Sequence, residues 1–136
     1  MLLTIFLTMK IRILLLAFAI SFNLSYTQSN TEIAYVYLNR AEDSFEKNDI
    51  DNSLSAFKKS LKYNDSLNDS RVGRLGMLLH YGLGNFHIAK VYSKEYFDFI
   101  DDKTTEDYLD MLDLYVSIQE GIDQFNEELR IKTEKI

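Results

Sequence analysis

Three turn signals recur at nearly the same interval along this chain. They fall at Asn48-Asp49, Gly84-Asn85 and Gly121-Ile122, which are 36 and 37 residues apart. Amphipathic stretches with the period of an α-helix lie between them. Self-similarity of this length is typical of helix–turn–helix units that stack into an array. The recurrence therefore predicts an all-α fold of two to three antiparallel hairpins.

The first 27 residues carry the features of a secretory leader in the required order. Lys10 and Arg12 form a short basic segment, and the apolar run 13–20 follows it. Small residues then precede a favourable cleavage point between Thr27 and Gln28. This order predicts a signal peptide, and hence a protein in the periplasm or outside the cell.

The same segment leaves two alternatives open. Met9 is a second candidate start, because residues 9–12 alone supply a basic segment before the apolar run. An uncleaved membrane anchor is the alternative to a cleaved leader, but the charges near residues 10 and 12 leave few uninterrupted apolar residues to span a bilayer. We expect a leader over 1–27, no stable membrane span after its removal, and one folded domain over 28–136.

Charge and cysteine content exclude several classes of protein. The chain has no cysteine, so neither a lipid-modified N-terminus nor a disulfide framework is available to it. Its net charge is −6, and loss of Lys10 and Arg12 with the leader would make it −8. This balance argues against nucleic acid as a partner. The acids concentrate between residues 98 and 128, which indicates a solvated helix face or, alternatively, a docking surface for a basic partner.

The C-terminal stretch differs from the preceding hairpins. Its apolar residues alternate at steps of three and four, and the stripe continues through Gly121 without losing phase. A glycine inside a helix costs about 1 kcal/mol relative to alanine, which packing can offset. The sequence therefore leaves open one long helix over 105–133 or a third hairpin. We interpret the stripe as a terminal helix that caps the array, or alternatively as a homodimer seam. Its members are Tyr108, Met111, Tyr115, Ile118, Ile122, Phe125 and Leu129.

Residues 37–65 resemble a tetratricopeptide repeat. Tyr37 occupies the first large position of that motif, Ala41 the small position, and Asn48 replaces the turn glycine. The small, aromatic and small positions of the second helix are Ser53, Phe57 and Ser60. Small residues at such positions let helix axes approach closely where hairpins stack.

A second unit resembles the latter half of the same motif. Tyr81, Gly84, Phe86 and Ala89 match it, whereas a third unit retains little beyond Gly121. The resemblance to secreted bacterial proteins of this type implies an α-solenoid of helical hairpins, which we expect, from the stripe, to end in a long C-terminal helix. It also implies a role in protein–protein interaction, because the family's arrays hold other proteins.

The resemblance further implies a binding groove. In the family, the first helix of each repeat lines a concave surface on which peptides lie. Arg71 and Arg74 would stand there one helical turn apart and could hold a carboxylate or an acidic peptide. Alternatively, both arginines balance the chain's own acids, such as those at 98–113. The residues that the resemblance places on this surface are Tyr35, Leu38, Glu42, Arg71, Arg74, Leu78 and Tyr81.

No residue pattern indicates catalysis, a cofactor or a metal. His80 and His87 are the only histidines, and we assign them structural or surface roles. A calcium-loop-like start at Asp49 has Leu54 and Ser60 where such loops need glycine and glutamate. We therefore expect a non-catalytic exported scaffold for a protein or peptide partner. The alternative is the extracytoplasmic sensor or dimerisation module of a longer bacterial signalling protein.

Overall fold

The computed structural model describes Met1 and residues 30–135, and every regular element in that part is an α-helix. The all-α prediction is therefore confirmed for this part of the chain. The predicted leader and the predicted cut between Thr27 and Gln28 lie outside the described residues. The helices are α1 (30–46), α2 (Ile50–Tyr63), α3 (Ser70–Gly82), α4 (Phe86–Phe99) and α5 (Glu106–Glu134).

The first two predicted turns are confirmed, and they have the same backbone structure. Asn48 and Gly84 adopt left-handed φ values of 59° and 71°. At both turns the N–H of this residue donates to the carbonyl three residues back at 2.9 Å. The next N–H donates to the carbonyl five residues back, at 2.9 Å in the first turn and 2.8 Å in the second. These two hydrogen bonds form a Schellman motif, in which glycine and asparagine are the favoured left-handed residues.

Polar side chains begin three of the helices. Asp49, Asp69 and Thr105 each accept a hydrogen bond from a backbone N–H two or three residues further on, at 3.2, 2.9 and 3.2 Å. Such caps satisfy N–H groups that have no partner within the helix and contribute about 1 kcal/mol each. They explain why α2, α3 and α5 begin where they do.

The predicted turn at Gly121 is wrong, because α5 passes through this residue as a continuous helix. A Cβ atom on Gly121 would lie 2.9 Å from the ring of Phe86. The glycine therefore makes room for an aromatic ring of α4 instead of bending the chain. The outcome is two hairpins followed by one helix of 29 residues, about 43 Å long.

Small buried residues hold α1 against α2. The hydroxyl of Ser53 donates to the carbonyl of Ala41 at 2.7 Å, and that of Ser60 donates to the carbonyl of Ala34 at 2.8 Å. All four residues are fully buried. Because each serine meets the partner backbone directly, the helices approach more closely than larger side chains would allow.

Two glycines create the corresponding contact between α3 and α4. A Cβ atom on Gly73 would lie 2.2 Å from the backbone nitrogen of Tyr96. A Cβ atom on Gly76 would lie 2.2 Å from the ring of Tyr92. At Gly73 the backbone of α3 therefore lies directly against the backbone of α4, and at Gly76 it lies against the Tyr92 ring.

The described residues form two apolar cores that meet at α3. Tyr92 of α4 packs against both of them. The first core joins α1, α2 and α3 and contains Ala34, Leu38, Ala41, Phe57, Leu67, Val72, Leu75 and Leu79. The second core joins α3, α4 and α5 and contains Met77, Ala89, Tyr96, Met111, Ile118 and Ile122.

The C-terminal part of α5 extends past the second core. Residues 123–135 are all exposed, and ion pairs of Arg130 with Glu127 and Glu134 cross their surface. Within the part of the chain that the structure describes, no helix combines the length and the apolar character that a membrane crossing requires.

Candidate binding surfaces

Two ion pairs join α1, α3 and α5 along one side of the molecule. Arg71 of α3 donates from Nε to Glu42 Oε1 of α1 at 3.1 Å, and its Nη2 pairs with the other oxygen of that carboxylate. Arg74, one turn further along α3, donates from Nε to Asp107 Oδ1 of α5 at 2.8 Å. These ion pairs connect the odd-numbered helices on this side of the molecule. We call this surface the odd-helix face; it contains Tyr35, Glu42, Arg71, Arg74, Leu78, Tyr81 and Asp107.

Asp107 also connects this face to α4. Its second carboxylate oxygen accepts a hydrogen bond from the Tyr96 hydroxyl at 3.1 Å. Burial first, and then this hydrogen bond to a carboxylate, raises the pKa of Tyr96 to about 12. The hydrogen bond with Glu42 raises the pKa of Arg71 above its usual value. Tyr96 and Arg71 thus keep their protons over the whole physiological range.

Most of the predicted groove residues are at least partly exposed, but not all of them. Tyr35, Glu42 and Leu78 are partly exposed, and Tyr81 is 38% exposed. Leu38 does not line the face, because it is fully buried in the first core. A buried leucine at this position packs hairpin against hairpin and offers nothing to a ligand.

The positive charges of the odd-helix face are already balanced. Arg71 is occupied by Glu42, and Arg74 by Asp107, which lies in the 98–113 segment that the alternative interpretation named. A ligand carboxylate would have to displace one of these acids to reach a guanidinium. The parts of the face that remain open to a partner are its rings and apolar side chains, above all Tyr81.

A second surface, between α1 and α2, carries positive charge that is not balanced. It is a groove of about 350 Å³. Its charged lining residues are Arg40, Lys47, Lys59 and the single acid Asp43. Among the described residues, no carboxylate comes within ion-pair distance of the three cations. We call this surface the basic groove.

An aromatic pair organises the basic groove. Tyr37 lines it and stacks on Tyr63 with ring centroids 5.6 Å apart and planes 9° from parallel. The guanidinium carbon of Arg40 lies 5.4 Å from the centre of the Tyr37 ring, and Lys59 Nζ lies 5.7 Å from it. Contacts of this kind attract a cation to the ring without neutralising its charge.

Sequence reasoning missed the basic groove, although part of its pattern is visible in the sequence. Tyr37 and Arg40 are three residues apart, which places them on one side of α1, and Lys47 follows seven residues later, just past the end of that helix. Tyr37 was instead explained by packing, as the large residue of the repeat motif. Lys59 joins the group only because α2 folds back antiparallel to α1, and no local pattern encodes that meeting.

The stripe predicted as a homodimer seam is largely used within the chain. Met111, Ile118 and Ile122 are buried in the second core, and Tyr108 and Tyr115 both pack against the ring of Phe97. These five residues therefore hold α5 on α4 within the chain. The other two stripe residues, Phe125 and Leu129, are exposed.

A different set of apolar residues on α5 is open to solvent. Leu109 and Val116 are 59% and 53% exposed, and Leu112 lies between them on the same side of the helix. Near the other end of the stripe, Phe125 borders an apolar hollow of about 280 Å³ beside the start of α4. These features make α5 a candidate contact surface.

The two histidines contact different parts of the molecule. His80 stacks on Tyr92 with ring centroids 5.5 Å apart, and burial lowers its pKa, with a smaller contribution from the charge of Lys58. His87 meets the ring of Phe125 edge-on at 6.3 Å. Over the described residues, no group of three or more histidines and acids has the arrangement of a metal site.

Comparison with known proteins assigns the chain to no family. No protein-family model matches it, and neither the curated proteins nor the solved structures contain a significant match.

Proposed function

We propose that this protein is an exported, non-catalytic scaffold of the tetratricopeptide-repeat type that holds a protein partner. The observation that supports this proposal is a set of contacts between alternate helices. The ion pairs Arg71–Glu42 and Arg74–Asp107 join α1, α3 and α5. On the other side, Phe57 of α2 meets Tyr92 of α4 with ring centroids 5.4 Å apart. Alternation of this kind is what successive stacked hairpins produce.

The odd-helix face is the partner surface in this proposal. It offers Tyr81, which is 38% exposed, on the same helix as two arginines. Tyrosine and arginine are among the residues that most often dominate binding energy at protein interfaces. Because Glu42 and Asp107 already hold the arginines, binding there relies on rings and shape more than on new ion pairs. Export rests on the leader features of residues 1–27.

The test is affinity capture from the source cells. The full-length chain would carry a C-terminal tag, be cross-linked in place, and be compared with an Arg71→Ala/Arg74→Ala/Tyr81→Ala variant. Both arginines are partly exposed, and exposed ion pairs stabilise a fold by about 1 kcal/mol or less. We therefore expect the variant to keep its helicity and its melting temperature within a few degrees, and to lose the partner.

A matched control separates loss of the site from loss of charge. The variant Lys103→Ala/Lys132→Ala/Phe99→Ala also removes two exposed cations and a ring that, like Tyr81, is 38% exposed. It should capture the partner as the parent does. If the first variant melts early instead, its three residues serve the fold and the face is wrongly assigned. If the parent captures only copies of itself, the scaffold proposal fails.

The alternative function is a dimerising sensor module, and the exposed apolar side of α5 favours it. Leu109, Leu112 and Val116 lie outward on the last helix of the array. A second copy, or a further segment of a longer signalling protein, would pack there. Mass in solution distinguishes this function from a monomeric scaffold.

A further inference from the structure

We propose that the basic groove between α1 and α2 binds an acidic segment of a partner protein. This site is separate from the odd-helix face and depends neither on export nor on that face. It is an inference from charge, from the geometry around Tyr37 and from the span of the groove.

The charge argument starts from the lining of the groove, which has three cations and one acid. Arg71, Arg74, Lys94 and Arg130 are each paired with a carboxylate of the chain. The groove cations have no such partner among the described residues, although acids outnumber basic residues 21 to 15 in the sequence. The groove lining therefore has an excess of positive charge over its single acid, and an incoming carboxylate would complement that excess. Complementarity of this kind also steers association and selects the partner.

The geometry around Tyr37 prepares the cations for a ligand. The stack on Tyr63 fixes the orientation of the Tyr37 ring, and contacts with that ring restrict Arg40 and Lys59. Less side-chain freedom is then lost when a ligand binds, which improves affinity without any added contact. The guanidinium of Arg40 can also hold a carboxylate through two parallel hydrogen bonds.

The span of the groove indicates an extended peptide. Lys47 is the first residue after α1 and lies seven residues beyond Arg40, which corresponds to about 10 Å at the rise of a helix. An extended chain covers that distance in about three residues, and alternate side chains on one side lie about 7 Å apart. The groove therefore fits a segment with acidic side chains at every second or third position.

Other anionic partners fit the molecule less well. An anionic membrane or a nucleic acid presents a wide field of negative charge, and the acid-rich segment 98–128 of the same small domain would be repelled by it. A short peptide within the groove is affected far less, because charges are screened over about 8 Å at physiological ionic strength.

The test uses the full chain and a labelled peptide rich in Asp and Glu, with the matching Asn and Gln peptide as its control. Fluorescence anisotropy would measure binding to the parent, to Arg40→Gln/Lys59→Gln and to the control variant Lys103→Gln/Lys132→Gln. The last two variants carry the same change in net charge, but neither Lys103 nor Lys132 lines the groove. We expect the groove variant to weaken the Kd at least about tenfold, because two charged contacts are lost, and the control variant to change it less than about threefold.

Every other outcome overturns the proposal that the basic groove binds an acidic segment. If the parent binds the acidic and the neutral peptide equally, or binds neither, the proposal is overturned. It is also overturned if both variants weaken binding equally, since only net charge then matters. If vesicles with anionic lipids bind the parent more tightly than the peptide does, the occupant is a membrane. If the parent forms dimers that the groove variant dissociates, the occupant is a second copy. Capture by the odd-helix face is measured separately and is unaffected by these results.

Discussion

The Tyr96 hydroxyl of α4 donates a hydrogen bond to the Asp107 carboxylate, 3.1 Å away in the first turn of α5. The same carboxylate accepts from Arg74 of α3. One acid thus links three helices, at a helix start where the helix dipole favours negative charge. Tyr96 is only 1% exposed, so its hydroxyl depends on this acceptor for a partner.

This relationship predicts a loss of stability in alkali that Tyr96→Phe removes. The pKa of Tyr96 is about 12 in the folded chain against an ordinary value of 10.0, so the unfolded chain releases this proton first as the pH rises. The free energy of unfolding therefore falls between pH 10 and 12, by about 2 kcal/mol more in the parent than in the variant. Below pH 10 the parent should be the more stable by about 1 kcal/mol. Urea titrations across this range would measure both, and parallel curves would contradict the assignment.

Gly73→Ala should destabilise the fold strongly, and Gly82→Ala should not. The new Cβ atom at Gly73 would lie 2.2 Å from the backbone nitrogen of Tyr96, so α3 and α4 must separate. The expected cost is about 3 kcal/mol or more. At Gly82 nothing lies within 4 Å of the new atom, and the loss of backbone freedom in the unfolded chain should stabilise by about 0.5 kcal/mol. Chemical denaturation of these two variants tests the close contact between α3 and α4 at Gly73. Similar free energies of unfolding for both variants would show that α3 and α4 are further apart than described.

His80→Phe should make the fold less sensitive to mild acid. Burial is the larger cause that lowers the pKa of His80, and the charge of Lys58 adds to it. As the pH falls below the ordinary value of 6.5, the unfolded chain binds this proton before the folded chain does, so stability decreases. Phenylalanine retains a ring for the stack on Tyr92 and cannot titrate. Thermal melts from neutral pH down to about pH 5 should show a steeper decline for the parent. An equal decline in both proteins would mean that other groups cause it.

A Leu109→Gln/Leu112→Gln/Val116→Gln variant tests the outer side of α5. These side chains are exposed, and the proposed scaffold does not use them, so parent and variant should both sediment as monomers of similar stability. A parent dimer that the variant dissociates would favour the sensor module instead. A variant that unfolds would show that the three residues pack within the chain.

Local sequence signals were sufficient for most of the fold. Asn48 and Gly84 marked both hairpin turns, because a left-handed residue after a helix has a strong residue preference. Gly121 misled for a related reason. A glycine can permit a turn, or it can make room for a neighbouring side chain, as Gly121 does for the ring of Phe86. The sequence does not distinguish these two roles, whereas the packed structure does.

The binding surfaces were harder to predict than the helices. The family resemblance placed Arg71 and Arg74 on one surface but gave no information on their partners, which come from α1 and α5. It also placed Leu38 on that surface, although this side chain is fully buried in the first core. The basic groove depends on Lys59 of α2 and Arg40 of α1 coming together across a hairpin. The sequence of either helix alone does not indicate that these two charges become neighbours.

Helix α3 contributes Val72, Leu75 and Leu79 to one core and Met77 to the other. This helix therefore has buried apolar residues on two sides, and it completes the cores of both hairpins. Cutting the chain in the 64–69 loop and separating the two parts would expose the side of α3 that packs in the first core. It would also expose the apolar side chains of the first hairpin that α3 covers. The two repeat-like units are therefore not interchangeable modules that could be added or removed singly. They form one folded unit, because loss of either half exposes the apolar side chains of the other half that it covers.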